Sequence, residues 1–152
     1  MSGPRRQLIK SAASAGLLYL CGLPSFAGAA AIKPDRKAAL LVIDVQNCFL
    51  PGGTLPVKEG DQVIPVINRL AGSFDNIVVT QDWHTPGHAS FATTHAGKKP
   101  FETAELAYGT QVLWPDHCVQ GTRDADLGPG LQLPTAQLLI RKGYHKLSLI
   151  HI

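Results

Sequence analysis

Asn76-Ile77-Val78-Val79-Thr80-Gln81-Asp82-Trp83-His84 is the stretch on which the reading of the chain turns. Its β-branched run, closed by polar residues, predicts a strand over 76–81 that ends at Asp82. Upstream, Ala38-Ala39-Leu40-Leu41-Val42-Ile43-Asp44 is a continuous apolar run ending in an acid. It predicts a strand buried on both faces, as in a parallel sheet. Between the two, Val63, Ile64, Ile67 and Leu70 recur at helical spacing over about 61–71, with Asp61 placed to cap the helix. Strand, helix and strand in that order suggest a right-handed crossover unit. Downstream, Gln137-Leu138-Leu139-Ile140-Arg141 predicts a third strand, ending at Lys142-Gly143. Residues 85–135 are rich in Pro, Gly and His with little periodicity, and such a segment does more than connect.

The three strands end in Asp44, Asp82 and Lys142. Sites in open parallel α/β sheets gather at the carboxyl ends of strands. The 152 residues suit one modest domain, and 45% hydrophobic content excludes global disorder. Of the 14 Lys and Arg, only Arg5, Arg6 and Lys10 precede residue 32, a region with no acid. The remainder balances its 11 acids with as many bases, which excludes a strongly basic nucleic-acid binder. Three cysteines do not make a disulfide scaffold.

Residues 1–31 read as a secretory signal. Arg5-Arg6-Gln7-Leu8-Ile9-Lys10 is a twin-arginine pattern followed by an uncharged stretch rich in Ala and Gly. Ala27-Gly28-Ala29 and Ala29-Ala30-Ala31 fit small-x-small cleavage sites. The expectation is export to the periplasm by the twin-arginine route. Pro24 and the many small residues weaken the alternative of an uncleaved anchor, so no stable membrane anchor is expected.

Asp82-Trp83-His84 and Trp114-Pro115-Asp116-His117-Cys118 carry the metal signal. An Asp and a His two apart at a strand end can enter one cleft, and His117 can join them from the long loop. One carboxylate and two imidazoles suit zinc, iron or manganese. His88 is a further candidate ligand. The alternative is a set of hydrogen-bonded surface histidines.

Asp44-Val45-Gln46-Asn47, Pro51-Gly52-Gly53, Gln81-Asp82-Trp83-His84, His88-Ala89-Ser90-Phe91 and Trp114-Pro115-Asp116-His117-Cys118-Val119 together resemble the nicotinamidases (pyrazinamidases). These belong to the isochorismatase-like cysteine hydrolases, and the match runs in order from about residue 38 to 146. The resemblance implies an α/β fold with a doubly wound parallel sheet and helices on both faces, incomplete at the C-terminus. It implies a metal-dependent amidohydrolase that converts nicotinamide to nicotinate and ammonia. Asp82, His84 and His117 would hold one divalent metal, with His88 less firmly assigned. Phe49 and Trp114 would line the pocket for the flat ring of this small-molecule substrate, unless they are ordinary core.

By the same resemblance Asp44 and Lys142 match the base and the lysine of an Asp-Lys-Cys triad. The nucleophilic cysteine is absent. Cys118 lies where the family has a non-catalytic cysteine, and Cys48 has no assigned role. Leu147-Ser148-Leu149-Ile150-His151-Ile152 is the in-frame translation of CTGTCTCTTATACACATC, a transposase mosaic end used in sequencing libraries. The expectation is a partial hydrolase domain over 32–146, with adapter read-through over 147–152. Without its nucleophile the chain itself is expected to be inactive. Another amidohydrolase of the superfamily, or a non-catalytic periplasmic protein binding metal or nicotinamide, are the alternatives. Oligomeric state is not legible.

Overall fold

The structure, a computed structural model, describes residues 33–146. The expected signal over 1–31 and the expected non-native hexapeptide over 147–152 lie outside the described residues. The elements are β1 (Ala39–Val42), α1 (Val63–Ala71), β2 (Asn76–Asp82), β3 (Thr103–Leu106), β4 (Gly109–Val112) and β5 (Leu138–Lys142), with short 3-10 turns between them. β1, β2 and β5 form a parallel sheet in the order β1-β2-β5. This is the α/β sheet expected from the three apolar runs. Parallel neighbours need a crossover connection, and α1 supplies the one between β1 and β2.

α1 forms because Ile64, Ile67 and Ala71 recur on one face, and that face packs on Val42, Ile77 and Val79. Val63 and Leu70, which the spacing assigned to the buried face, are 45% and 40% exposed. They flank the stripe that packs on the sheet. Asp61 does not cap the helix. It lies in the 3-10 turn Gly60–Gln62, and the N-cap position, Gln62, makes no side-chain capping bond. Pro65 is tolerated because first-turn N–H groups have no partner within a helix.

The expectation that β1 is buried on both faces is not met. Val42 is buried, whereas Leu41 and Ile43 are 58% and 62% exposed. In register, Leu41 stands beside Val78 and Val78 beside Leu138, so the three share the face opposite the α1 core. Among the described residues α1 is the only α-helix, and it covers the other face.

The long irregular segment holds more order than its composition suggested. β3 and β4 pair antiparallel, Thr103 opposite Val112 and Leu106 opposite Gly109. Isolated bridges tie the segment to itself and to the sheet. His84 pairs with Val119 just past the end of β2, and Phe91 pairs with Trp114. The backbone bonds His84 N–H to Cys118 O at 3.0 Å and Gln120 N–H to His84 O at 2.9 Å extend β2 by one ladder step. That step carries the 114–119 loop to the sheet's carboxyl edge.

Candidate active site

Side chains two apart on extended backbone project to the same side, which sends Asp82 and His84 together past the end of β2. The bridge to Val119 brings His117 to them. Each of the three offers one ligand atom, and these atoms all lie within 4.8 Å of one another. All three residues are buried.

Backbone carbonyls set the tautomers of both histidines. His84 Nδ1 lies 2.9 Å from Gly143 O, and His117 Nδ1 lies 2.8 Å from Pro115 O. A carbonyl only accepts, so each neutral ring carries its proton on Nδ1 and leaves a lone pair on Nε2. His84 Nε2 is buried without a hydrogen-bond partner, 3.7 Å from Asp82 Oδ2. An unsatisfied buried acceptor costs about 1–3 kcal/mol, which a bound cation would offset. Burial holds the His117 imidazole below the usual histidine range, outweighing the Pro115 carbonyl, so it stays a neutral donor. A carboxylate and two imidazoles oriented by backbone carbonyls fit a divalent metal.

His88 stands beside this group. Its ring centroid is 4.6 Å from that of His84. Its Nδ1 is 2.8 Å from Ser90 Oγ and accepts the Ser90 N–H at 3.2 Å. The three-residue cluster is Asp82, His84 and His117.

Asp44 and Lys142 meet at the same edge. Lys142 Nζ is 2.7 Å from Asp44 Oδ2 and 2.5 Å from Asp82 Oδ1, so one ammonium joins both carboxylates. The register explains this, because Lys142 is the β5 partner of Asp82. Burial pushes the ammonium down, but its bonds to Asp44 and Asp82 prevail and hold it above the usual lysine range. Burial likewise pushes the Asp82 carboxyl up, yet it is held below its ordinary value, with the Lys142 ammonium at 2.5 Å as the favourable partner. Asp82 thus gives Oδ1 to the lysine while Oδ2 faces the histidine.

Asp44 leaves β1 with φ 51°, a left-handed conformation uncommon for a side-chain-bearing residue. Such outliers cluster at functional sites. The Thr80 hydroxyl donates to Asp44 Oδ1 at 2.7 Å and fixes the carboxylate. Gln46 fixes the other acid. Its fully buried amide donates to Asp82 O and Ala125 O at 2.8 Å each, and its Oε1 accepts the Asp82 N–H at 2.7 Å. Neither role was drawn from the sequence. Gln46 stood in the Asp44-Val45-Gln46 motif, a usable signal, whereas Thr80 had none.

Phe49 lies with its ring centroid 5.7 Å from that of His117, at the edge of the cluster. Trp114 meets Phe101 edge-on at 5.9 Å and carries the backbone bridge to Phe91. Phe91 is the aromatic packed against His84, His88 and His117, at 5.5–5.6 Å. A cleft of about 620 Å³ opens beside Asn47, Gly53, Asp61 and Arg123, and Asp44, Asp82, Lys142, His84, His88 and His117 do not line it.

Cys48 and Cys118 are joined in a disulfide. Neither sulfur is therefore a thiolate, and Cys118 is excluded as nucleophile in this state.

The sequence profile of the isochorismatase domain matches residues 38–148. A nicotinamidase of Acinetobacter baylyi is 61% identical over 115 residues, covering 76% of this chain and 54% of that protein. The solved structure of an Acinetobacter baumanii nicotinamidase and pyrazinamidase is 60% identical with a TM-score of 0.72, covering 75% of this chain and 55% of that one. The pyrazinamidase of Pyrococcus horikoshii, solved in complex with zinc, is 35% identical with a TM-score of 0.55, over 72% of this chain and 54% of that one. The chain spans about half the length of the curated relatives it matches.

Proposed function

The chain belongs to the isochorismatase domain family, and on that premise we propose that its parent protein is a metal-dependent amidase hydrolysing nicotinamide to nicotinate and ammonia. The observation that carries the proposal is the adjacency of two groups at one sheet edge. Three metal-competent atoms lie within 4.8 Å of one another, and Lys142 ties one of their carboxylates to Asp44. The names of the relatives supply the substrate class.

Asp82, His84 and His117 would hold the ion, which we take to be zinc, iron or manganese. Bound there, it would supply a fixed positive charge to hold the pyridine nitrogen of the substrate. Asp44 acts as general base, taking the proton of the attacking thiol and later handing it to departing ammonia. The Lys142 charge favours the thiolate and holds Asp44 in place. The thiol sulfur attacks the amide carbon and ammonia leaves. Water then hydrolyses the thioester to nicotinate and restores the thiol. Cys48 and Cys118 are committed to each other, so the nucleophile belongs to a segment other than 33–146. Phe49, beside His117, would offer a flat apolar face for the ring, and Trp114 would line the same pocket.

Residues 1–31 would direct twin-arginine export to the periplasm. Two unrelated features support this: the Arg5-Arg6 pattern, and a buried disulfide of the kind that persists in oxidising compartments.

The test uses protein made from the complete reading frame. His84→Ala and His117→Ala should each lower metal content, since losing one of three protein ligands removes a large share of affinity. Unchanged metal stoichiometry by elemental analysis in both variants would refute the assignment.

A further inference from the structure

The catalytic steps above use neither Cys48 nor Cys118, yet their bond links two segments that hold the candidate ligands. Cys118 directly follows His117, has φ 45°, and gives its N–H to Asp124 Oδ2 at 3.0 Å. Its carbonyl accepts the His84 N–H. Cys48 lies in the turn Asn47–Phe49, between Gln46, which clamps the Asp82 backbone, and Phe49, which packs on His117. Trp83, the residue between Asp82 and His84, packs against the buried cluster of Cys48, Cys118 and Ala125. The two Cα atoms are 5.5 Å apart across 70 residues of sequence, and both residues are fully buried.

We propose that the Cys48–Cys118 disulfide is a positioning clamp on the metal centre: it fixes His117 against Asp82 and His84, so full metal affinity belongs to the oxidised chain. The inference rests on reading those three residues as metal ligands. A site gains affinity when its ligands are ordered before the ion arrives. His117 sits on a loop between irregular segments, and the left-handed backbone at Cys118 persists only where its surroundings over-determine it. The covalent bond, with the Asp124 contact, supplies that constraint. Forming it removes two electrons and two protons from the thiols and passes them to a disulfide oxidant, which becomes two thiols. Oxidation and reduction alike need a partner to reach a buried sulfur, so both are slow once the chain has folded. The clamp is therefore set when the chain is oxidised and held thereafter, so metal affinity follows the compartment in which that happens.

The test compares protein from the complete reading frame refolded with a disulfide oxidant or with excess dithiol, alongside C48A/C118A. Each is stripped of metal and titrated with Zn²⁺ against a chromogenic chelator, with redox state read by alkylation and mass spectrometry and fold by circular dichroism. The oxidised protein should bind Zn²⁺ about tenfold more tightly than the reduced protein, the low end of what groups that hold a metal ligand in place contribute. C48A/C118A should match the reduced form and ignore dithiol. Loss of a merely structural cross-link would lower the melting temperature and leave the Zn²⁺ affinity, measured well below that temperature, unchanged. If C48A/C118A does not fold, the two redox forms of the unaltered chain still give the comparison. Equal affinity in both forms, or tighter binding by the reduced one, would overturn the clamp. No Zn²⁺ bound by the oxidised protein would overturn the metal centre and the clamp with it.

Discussion

Lys142→Met removes the one cation shared by Asp44 and Asp82 while keeping an unbranched stem to fill its place. Rupturing a fully buried ion pair costs about 3–5 kcal/mol because a charge is left uncompensated. Here the side chains of Lys142, Asp44 and Asp82 are 26%, 18% and 12% exposed, so solvent screens part of the interaction. Discounting for that, the metal-free variant should lose about 2 kcal/mol at about pH 7. The pH dependence has a definite sign. Asp82 is held below its ordinary value, so its contribution is present above the unfolded carboxylate value and lost as pH falls through the folded one. Lys142 is held above its ordinary value, so its contribution is present below the unfolded lysine value and lost only as pH rises through the folded one. The deficit of Lys142→Met should therefore hold from about pH 6 to about pH 9 and begin to shrink at about pH 3, below the unfolded carboxylate value, as Asp82 starts to take up its proton. Urea unfolding of the metal-free protein at the three pH values measures it. Stability within about 0.5 kcal/mol of the unaltered protein at neutral pH, below the effect of a broken buried pair, would refute the reasoning.

Gln46→Ala strips three buried hydrogen bonds and leaves the Asp82 N–H unpaired, so urea unfolding should show a loss of about 3 kcal/mol. His117 is held below the usual histidine value by burial, so the unfolded chain takes its proton first. The metal-free protein should thus lose stability as pH falls below about 6.5, and His117→Asn should flatten that slope in the same unfolding assay. A reporter fused after Ala31 should be exported, and Arg5→Lys with Arg6→Lys should block it; cell fractionation reads the outcome.

What the sequence made legible was local. The β-branched run at 76–80 and the apolar run at 138–140 form strands because each carries its own propensity, and polar ends marked where β2 and β5 stop. Asp82 and His84 were readable as a pair through the period of two, and His117 through its motif. The exposure of Leu41 and Ile43 was not readable, since an apolar run does not say which of its faces is covered. β3 and β4 escaped because each is only four residues long and mostly exposed, too short for its pattern to stand out from the surrounding loop. The Cys48–Cys118 bond spans 70 residues, and no local pattern encodes such a pairing. Thr80 took its role from a neighbouring strand, through the β1–β2 pairing that sets Asp44 beside it.

Ammonia release from nicotinamide is the most direct test of the central claim, measured with metal-loaded protein from the complete reading frame before and after chelation. Ammonia and nicotinate should appear in equal amounts, with release lost on chelation and restored by adding the divalent metal back. Metal-loaded, folded protein that releases no ammonia from nicotinamide above the uncatalysed rate, or releases it undiminished after the metal is removed, would contradict that claim.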